Sequence, residues 1–281
     1  MSDVAGSVNP NAYFARIGYD GPTDPTEAVL RALVSCHGGT IPFENLDPLM
    51  GVPVDLLAPQ VLAEKLIDRR RGGYCYEHNG LVGYVLDALG YGVERIAGRV
   101  VWMRPDGAPL PAMTHNVLAV TVPGEDERFL VDVGFGGQTL SSPIRLVPGR
   151  VQQTRHEPYR ITDAGDRLVL EALVRDEWMP LYLFTTEPRP RIDLEVGSWF
   201  VSTHPASIFV VGLSAALVTD DARHNLRGRN YAIHRADGSE RIRLDTAAEV
   251  LDLLEQRFGI DVGDLGDREV VDARVTQVLD T

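Results

Sequence analysis

The chain has 281 residues, enough for one extended core or two to three small packed units. Forty acidic against 27 basic residues give a net charge of -13, which excludes a general nucleic-acid binder, and no apolar run approaches the roughly 18 residues a membrane span needs. The opening Met1-Ser2-Asp3-Val4 lacks the basic and apolar regions of a signal peptide, so a cytoplasmic protein with Cys36 and Cys75 both reduced is expected.

Residues 9–21 contain Tyr13-Phe14-Ala15-Arg16-Ile17-Gly18-Tyr19 and read as a short helix and turn. Residues 26–37 align Ala28, Val29, Ala32 and Leu33 on one helical stripe, with a start signal at Asp24 before Pro25. Residues 40–46 are broken by Pro42 and read as a loop with buried anchors. Residues 57–70 are helical through Val61, Leu62, Leu66 and Ile67. Gly72-Gly73 ends that pattern, and residues 75–89 form the next helix, closed by Gly90 and Gly92. From Val93 the period shortens. Strands are expected at residues 99–102, 116–122, 129–133, 167–174 and 181–185, with turns at Pro105-Asp106-Gly107, residues 123–127 and residues 163–166. Residues 207–211 and 231–244 also read as strands, the latter turning at Asp237-Gly238. Residues 246–258 read as a helix stopped by Gly259. Segregated helices and strands argue for an α+β fold with a mostly antiparallel sheet rather than a doubly wound one.

Three residues in this layout carry nucleophilic chemistry. The block Arg71-Gly72-Gly73-Tyr74-Cys75-Tyr76-Glu77-His78-Asn79 sets a cysteine at the start of a helix, where the helix dipole and a nearby imidazole favour its reactive form. Thr114-His115-Asn116 opens one strand, and Val131-Asp132-Val133-Gly134-Phe135-Gly136 closes the next. Cysteine, histidine and aspartate in this order supply a nucleophile, its base and the group that orients the base. A hairpin centred between Pro123 and Gly124 would set His115 directly opposite Asp132, whereas a longer loop would leave them diagonal or further apart; the register stays open. Cys36 and His37 read as structural or surface residues despite their adjacency. Two cysteines without a CxxC pair lack structural-zinc spacing, so no metal is expected, and a Cys75–His78 metal site is a weak rival. Gly134-Phe135-Gly136-Gly137 precedes no helical pattern and makes a poor dinucleotide fingerprint.

Taken together, these segments resemble the arylamine N-acetyltransferases, in particular their compact bacterial branch. The similarity runs over most of the chain and includes Ile41-Pro42-Phe43-Glu44-Asn45-Leu46, Trp178-Met179-Pro180-Leu181-Tyr182 and Ser202-Thr203-His204-Pro205-Ala206-Ser207. The resemblance implies an N-terminal helical bundle over residues 1–91, a central antiparallel β-barrel over 92–205 and a C-terminal α/β lid over 206–281, the first two similar to the papain-like and transglutaminase-like core. It implies Cys75, His115 and Asp132 as a catalytic triad. The implied reaction is ping-pong acetyl transfer from acetyl-coenzyme A, a co-substrate, to an arylamine, arylhydrazine or N-hydroxyarylamine through an acetyl-cysteine. A backbone N–H, that of Cys75 included, is expected to hold the oxyanion. Phe43, Phe135 and Phe209 are expected as apolar walls, with Trp102, Thr114 and Tyr76 nearby, and Gly134 and Gly136 as places where a pantetheine arm passes close to backbone. Arg223, Arg227, Arg229 and Arg235, with His224 and His234, form the densest cationic stretch and are candidates for the nucleotide end of coenzyme A. Expected partners are therefore small arylamines, arylhydrazines and coenzyme A thioesters, with no nucleic acid and no membrane; a homo-oligomer is left open. The same triad would also serve a thiol hydrolase or a macrolactam-forming amide synthase, and those alternatives remain open on sequence.

Overall fold

The computed structural model describes residues 8–105 and 107–279; Met1 to Val4 and the centre of the expected turn at Asp106 lie outside the described residues. The first helix, α1 (Pro10–Ile17), starts where the Asn9 side chain accepts from the Asn11 N–H and stops at Gly18, whose φ of 66° is left-handed. In α2 (Glu27–Thr40) the cap is Thr26, which accepts from Val29 N, and not the expected Asp24. Pro25 separates Asp24 from the helix and favours extended backbone before it. The expected loop at 40–46 holds a two-residue strand, β1 (Phe43–Glu44), and runs into α3 (Leu46–Leu49).

The expected helix at 57–70 is shorter and irregular. It comprises α4 (Pro59–Ala63) and a π turn at Glu64–Asp68, in which Arg69 N reaches back to Glu64 O at 2.9 Å. The widened turn swings Lys65 inward, where its ammonium meets Glu77 at 2.6 Å and Asp47 at 2.7 Å. Next comes α5 (Cys75–Leu89), buried around nearly its whole circumference. Such a helix needs cover on every side. The other helices supply some of it, and the outer face of a β-barrel the rest.

That barrel is an eight-stranded antiparallel sheet. Its strands are β2 (Gly92–Val100), β3 (His115–Thr121), β4 (Phe129–Val131), β5 (Ile144–Arg145), β6 (Val151–Gln152), β7 (Tyr159–Asp163), β8 (Leu168–Val174) and β9 (Glu177–Phe184). The order is β5-β4-β3-β2-β9-β8-β7-β6. The two end strands nearly close the ring: Gln152 accepts from Arg145 N at 2.6 Å and donates to Arg145 O at 2.8 Å, replacing a missing ladder rung with a side-chain amide. Strand β3 is buried on both faces. Val117 and Ala119 point into the barrel, while Leu118 and Val120 pack on the helical side. Strand β9 bulges next to Pro180, which has no N–H to give the β8 ladder, and on its other side Leu181 O accepts from Val101 N and Trp102 N.

Beyond the barrel lie α6 (Arg191–Thr203), α7 (Ile208–Val211), β10 (Ser214–Val218), β11 (Arg223–Arg227), β12 (Asn230–Arg235), β13 (Gly238–Arg243), α8 (Ala247–Gln256), a short 3-10 turn and α9 (Arg268–Leu279). The strands form a second antiparallel sheet, β1-β10-β11-β12-β13, so β1 ties the early chain to the late one. The expected strand at 207–211 is helix α7. Its β-branched composition is overridden because Ser207 caps it, and Asn45 Nδ2 donates to Phe209 O at 2.8 Å and Gly212 O at 2.6 Å. The 231–244 hairpin is present as β12 and β13, and α8 starts at Thr246 with a capping box closed by Glu249. Val250, Leu251 and Leu254 of α8 are fully buried in the C-terminal core, each contributing about 1.5–3 kcal/mol by transfer out of water. Helices α6 and α9 and strands β5, β6, β7, β10 and β11 have no counterpart among the sequence expectations.

Candidate active site

Cys75 is the first residue of α5, and the two glycines before it are dictated by contact. A Cβ on Gly72 would sit 1.9 Å from Pro42 O, so only glycine lets the Pro42 carbonyl run past the turn. Glu77 accepts from Tyr74 N at 3.1 Å and fixes the first turn of the helix. At the far side of the thiol, a Cβ on Gly134 would lie 2.6 Å from Cys75 Cα. This glycine therefore admits the cysteine backbone itself, a nearer demand than the passing of a pantetheine arm. Gly136 has a φ of 89° and lies against the Phe43 ring.

The β3–β4 register pairs Leu118 with Val131 and Val120 with Phe129. Continued by one residue, it puts Asp132 opposite Val117, diagonal to His115 and on the same inward face. The diagonal arrangement of the two sequence alternatives is the one realised, because residues 122–128 form a longer connection than a tight turn. His115 Nε2 lies 2.7 Å from Asp132 Oδ2, with both residues almost fully buried. The second carboxylate oxygen accepts from Asn79 Nδ2 at 3.0 Å and Gly134 N at 3.1 Å. Burial opposes ionisation of Asp132, but the His115 cation and these donors hold its carboxyl below the usual carboxylate range. Burial likewise works against a charged His115. The Asp132 charge and hydrogen bond, helped by Cys75, outweigh it and raise the imidazolium to about 10. The ring is wedged by Tyr182, with centroids 4.6 Å apart, and by Phe135 edge-on at 5.3 Å.

Cys75, His115 and Thr114 open on one cleft of about 1100 Å³, which Phe43, Trp102, Phe135, Phe209, Gly134 and Gly136 also line. Asp132 sits behind His115 and outside that lining. Tyr76 is buried with its hydroxyl against Gly197 and does not reach the cleft. The cationic stretch divides. Arg223 is buried, paired with Glu157 at 2.7 Å and donating to Thr139 O, and His224 bonds the Tyr231 hydroxyl at 2.7 Å. Arg235 pairs with Glu240, and His234 bonds Ser239. Arg227 and Arg229 do line the cleft, joined by Arg243, which sequence reasoning did not single out. Sequence reasoning also missed Phe200 of α6 and Asn79. The i, i+4 spacing of Cys75 and Asn79 on one helix was the available signal for the latter. Its Nδ2 also donates to Asn116 O at 2.7 Å and its Oδ1 accepts from Val133 N, so one amide locks α5 to both β3 and β4.

Residues 27–266 match the model of the N-acetyltransferase family. The arylamine N-acetyltransferase of Mycolicibacterium smegmatis is 67% identical over 269 residues, 96% of this chain and 98% of that one. The chain belongs to the arylamine N-acetyltransferase family. Among solved structures of the family, the M. smegmatis enzyme superposes with a TM-score of 0.95 at 66% identity, covering 98% of this chain and all of that one. The arylamine N-acetyltransferase of Mycobacterium marinum in complex with CoA gives 0.94 at 63% identity, covering 96% of this chain and 99% of that one.

Proposed function

We propose that the protein transfers an acetyl group from acetyl-coenzyme A to arylamines and arylhydrazines in two half-reactions through an acetylated Cys75. The observation that carries this reading is the buried His115–Asp132 pair opening, with Cys75, on an aromatic-walled cleft. In the first half-reaction His115 takes the Cys75 thiol proton, and the resulting thiolate attacks the thioester carbonyl. The tetrahedral oxyanion forms beside the first turn of α5, where backbone N–H groups and the helix dipole favour negative charge. Collapse breaks the carbon–sulfur bond to coenzyme A, and His115, held protonated by Asp132, delivers its proton to the departing sulfur. The product is an acetyl-cysteine beside a neutral imidazole. An aromatic amine lying among Phe43, Phe135 and Phe209 then attacks the acetyl carbon, His115 accepts its proton, and the Cys75 sulfur leaves.

Arg227 and Arg243 at the cleft mouth fit the phosphates of coenzyme A, which a chain of net charge -13 must attract locally. Initial rates measured against both substrates test the scheme. Parallel double-reciprocal lines, with acetylation of isoniazid exceeding hydrolysis of acetyl-coenzyme A, are the expected result. Intersecting lines, or hydrolysis as the main outcome, would overturn it.

A further inference from the structure

Behind Cys75 a chain of buried polar groups crosses three helices. Tyr13 of α1 places its hydroxyl 3.0 Å from His37 Nδ1 of α2. His37 Nε2 lies 2.7 Å from His78 Nδ1 of α5, and His78 Nε2 lies 3.1 Å from Pro42 O. His37 and His78 have no solvent exposure, and Tyr13 has 1%. The carbonyl at the end can only accept, so His78 carries its proton on Nε2. Its Nδ1 is then bare and takes the proton of His37 Nε2, which leaves His37 Nδ1 to accept from the Tyr13 hydroxyl. Burial holds both imidazoles neutral, pushing His78 down to about 4 and His37 well below its ordinary value. Every polar atom is used, in one direction only.

The terminus of this chain is informative. Pro42 precedes Phe43, whose ring walls the cleft, lies 5.9 Å from the Phe209 ring and covers Gly136. His78 is one helical turn from Cys75. The Pro42 carbonyl also receives Gly73 N at 3.4 Å, and Glu44 N donates to Gly73 O at 2.7 Å, so this short segment is stitched to the turn that presents the thiol. Of the two bonds that the Pro42 carbonyl accepts, the His78 bond at 3.1 Å is shorter than the Gly73 N contact, so it is the firmer hold on Pro42 from the helix side, beside the 2.7 Å Glu44 bond one residue beyond Phe43.

We infer that Tyr13, His37 and His78 form a positioning relay that sets the Phe43 wall relative to Cys75 and so governs binding of the aromatic acceptor; the inference rests on the acetyl-transfer reading above. None of the three is a catalytic residue, because each acts through Pro42 and Phe43. Comparing acetylation of Cys75 by the donor with the acceptor KM separates a relay that acts on the acceptor wall from general damage.

The test compares wild type with His78→Leu, His78→Gln and Tyr13→Phe, measuring acetylation of Cys75 by acetyl-coenzyme A by intact mass and the KM for an arylamine in steady state. His78→Leu should raise the acceptor KM about tenfold and leave the acetylation rate unchanged, His78→Gln should restore KM by donating to Pro42 O, and Tyr13→Phe should raise it about threefold. An unchanged acceptor KM, or equal losses in both half-reactions with no rescue by glutamine, would overturn the relay. Imidazole nitrogen NMR of the wild type gives a readout independent of any variant: both rings must show a protonated Nε2 and a bare Nδ1, and the opposite tautomer on either overturns it. A wild type that never acetylates Cys75 would instead refute the acetyl-transfer reading and leave the tautomer result standing.

Discussion

Asp132 decides the charge of His115. Burial by itself would deprotonate the imidazole, yet the carboxylate at 2.7 Å, helped by Cys75, raises it to about 10. Asp132→Asn removes that charge and permits the wrong tautomer, so acetyl transfer should fall by at least about a hundredfold. The pH dependence of stability follows from the same pair. A histidine raised in the folded state contributes fully below its unfolded value of about 6.5 and loses that contribution as pH rises toward about 10. A lowered Asp132 contributes above its unfolded value of about 3.9 and loses that contribution as pH falls through its depressed folded value. The stability difference between wild type and Asp132→Asn, read by urea unfolding, should be widest between roughly pH 4 and 6.5 and narrow toward pH 10. A difference flat across that range would contradict this electrostatic account. Cysteine, histidine and aspartate were readable from the chain because each sits at the end of a clear element. Asn79 was not, because its i, i+4 spacing from Cys75 puts it on the right helix face but its partners come from segments more than thirty residues away.

Elements matter here through how closely they approach. The end of β4 meets the start of α5 at Gly134, where an added Cβ would lie 2.6 Å from Cys75 Cα. Gly134→Ala should therefore part strand and helix, lowering acetyl transfer by about 10–100-fold and stability by about 1–3 kcal/mol. Steady-state assays beside urea unfolding check this, and a variant of full activity would show that the contact is not needed. Amphipathic helices α2 and α8, the apolar helix α5 bounded by Gly73 and Gly90, and the hairpins β3–β4 and β12–β13 were legible because period and turn residues agreed. Helix α7 was not, since Ile208-Phe209-Val210-Val211 has strand composition and is held helical by Asn45 from a distant segment. The π turn in 64–68 likewise answers to Lys65 reaching Glu77 and Asp47, a tertiary demand that local periodicity does not carry.

At the scale of the molecule, the barrel, the helices around α5 and the second sheet converge on one cleft, and strand β1 links the last of these to the turn before Cys75. The order of helices before strands was legible, whereas the joining of Phe43–Glu44 to β10 was not, because two residues are too few to show alternation. A strongly acidic chain that uses a phosphorylated donor must rely on local cations. Arg227→Ala should raise the KM for acetyl-coenzyme A about threefold or more while leaving transfer from p-nitrophenyl acetate unchanged, because the latter has no phosphates. Equal effects on both donors would remove Arg227 from donor recognition. The central claim is a covalent acetyl group on Cys75, and mass analysis after mixing the protein with acetyl-coenzyme A and no amine addresses it most directly. The account predicts one added acetyl group that maps to Cys75, disappears on adding an arylamine and is absent from Cys75→Ala. No added mass, or an acetyl group on Cys36 that persists in Cys75→Ala, would contradict it.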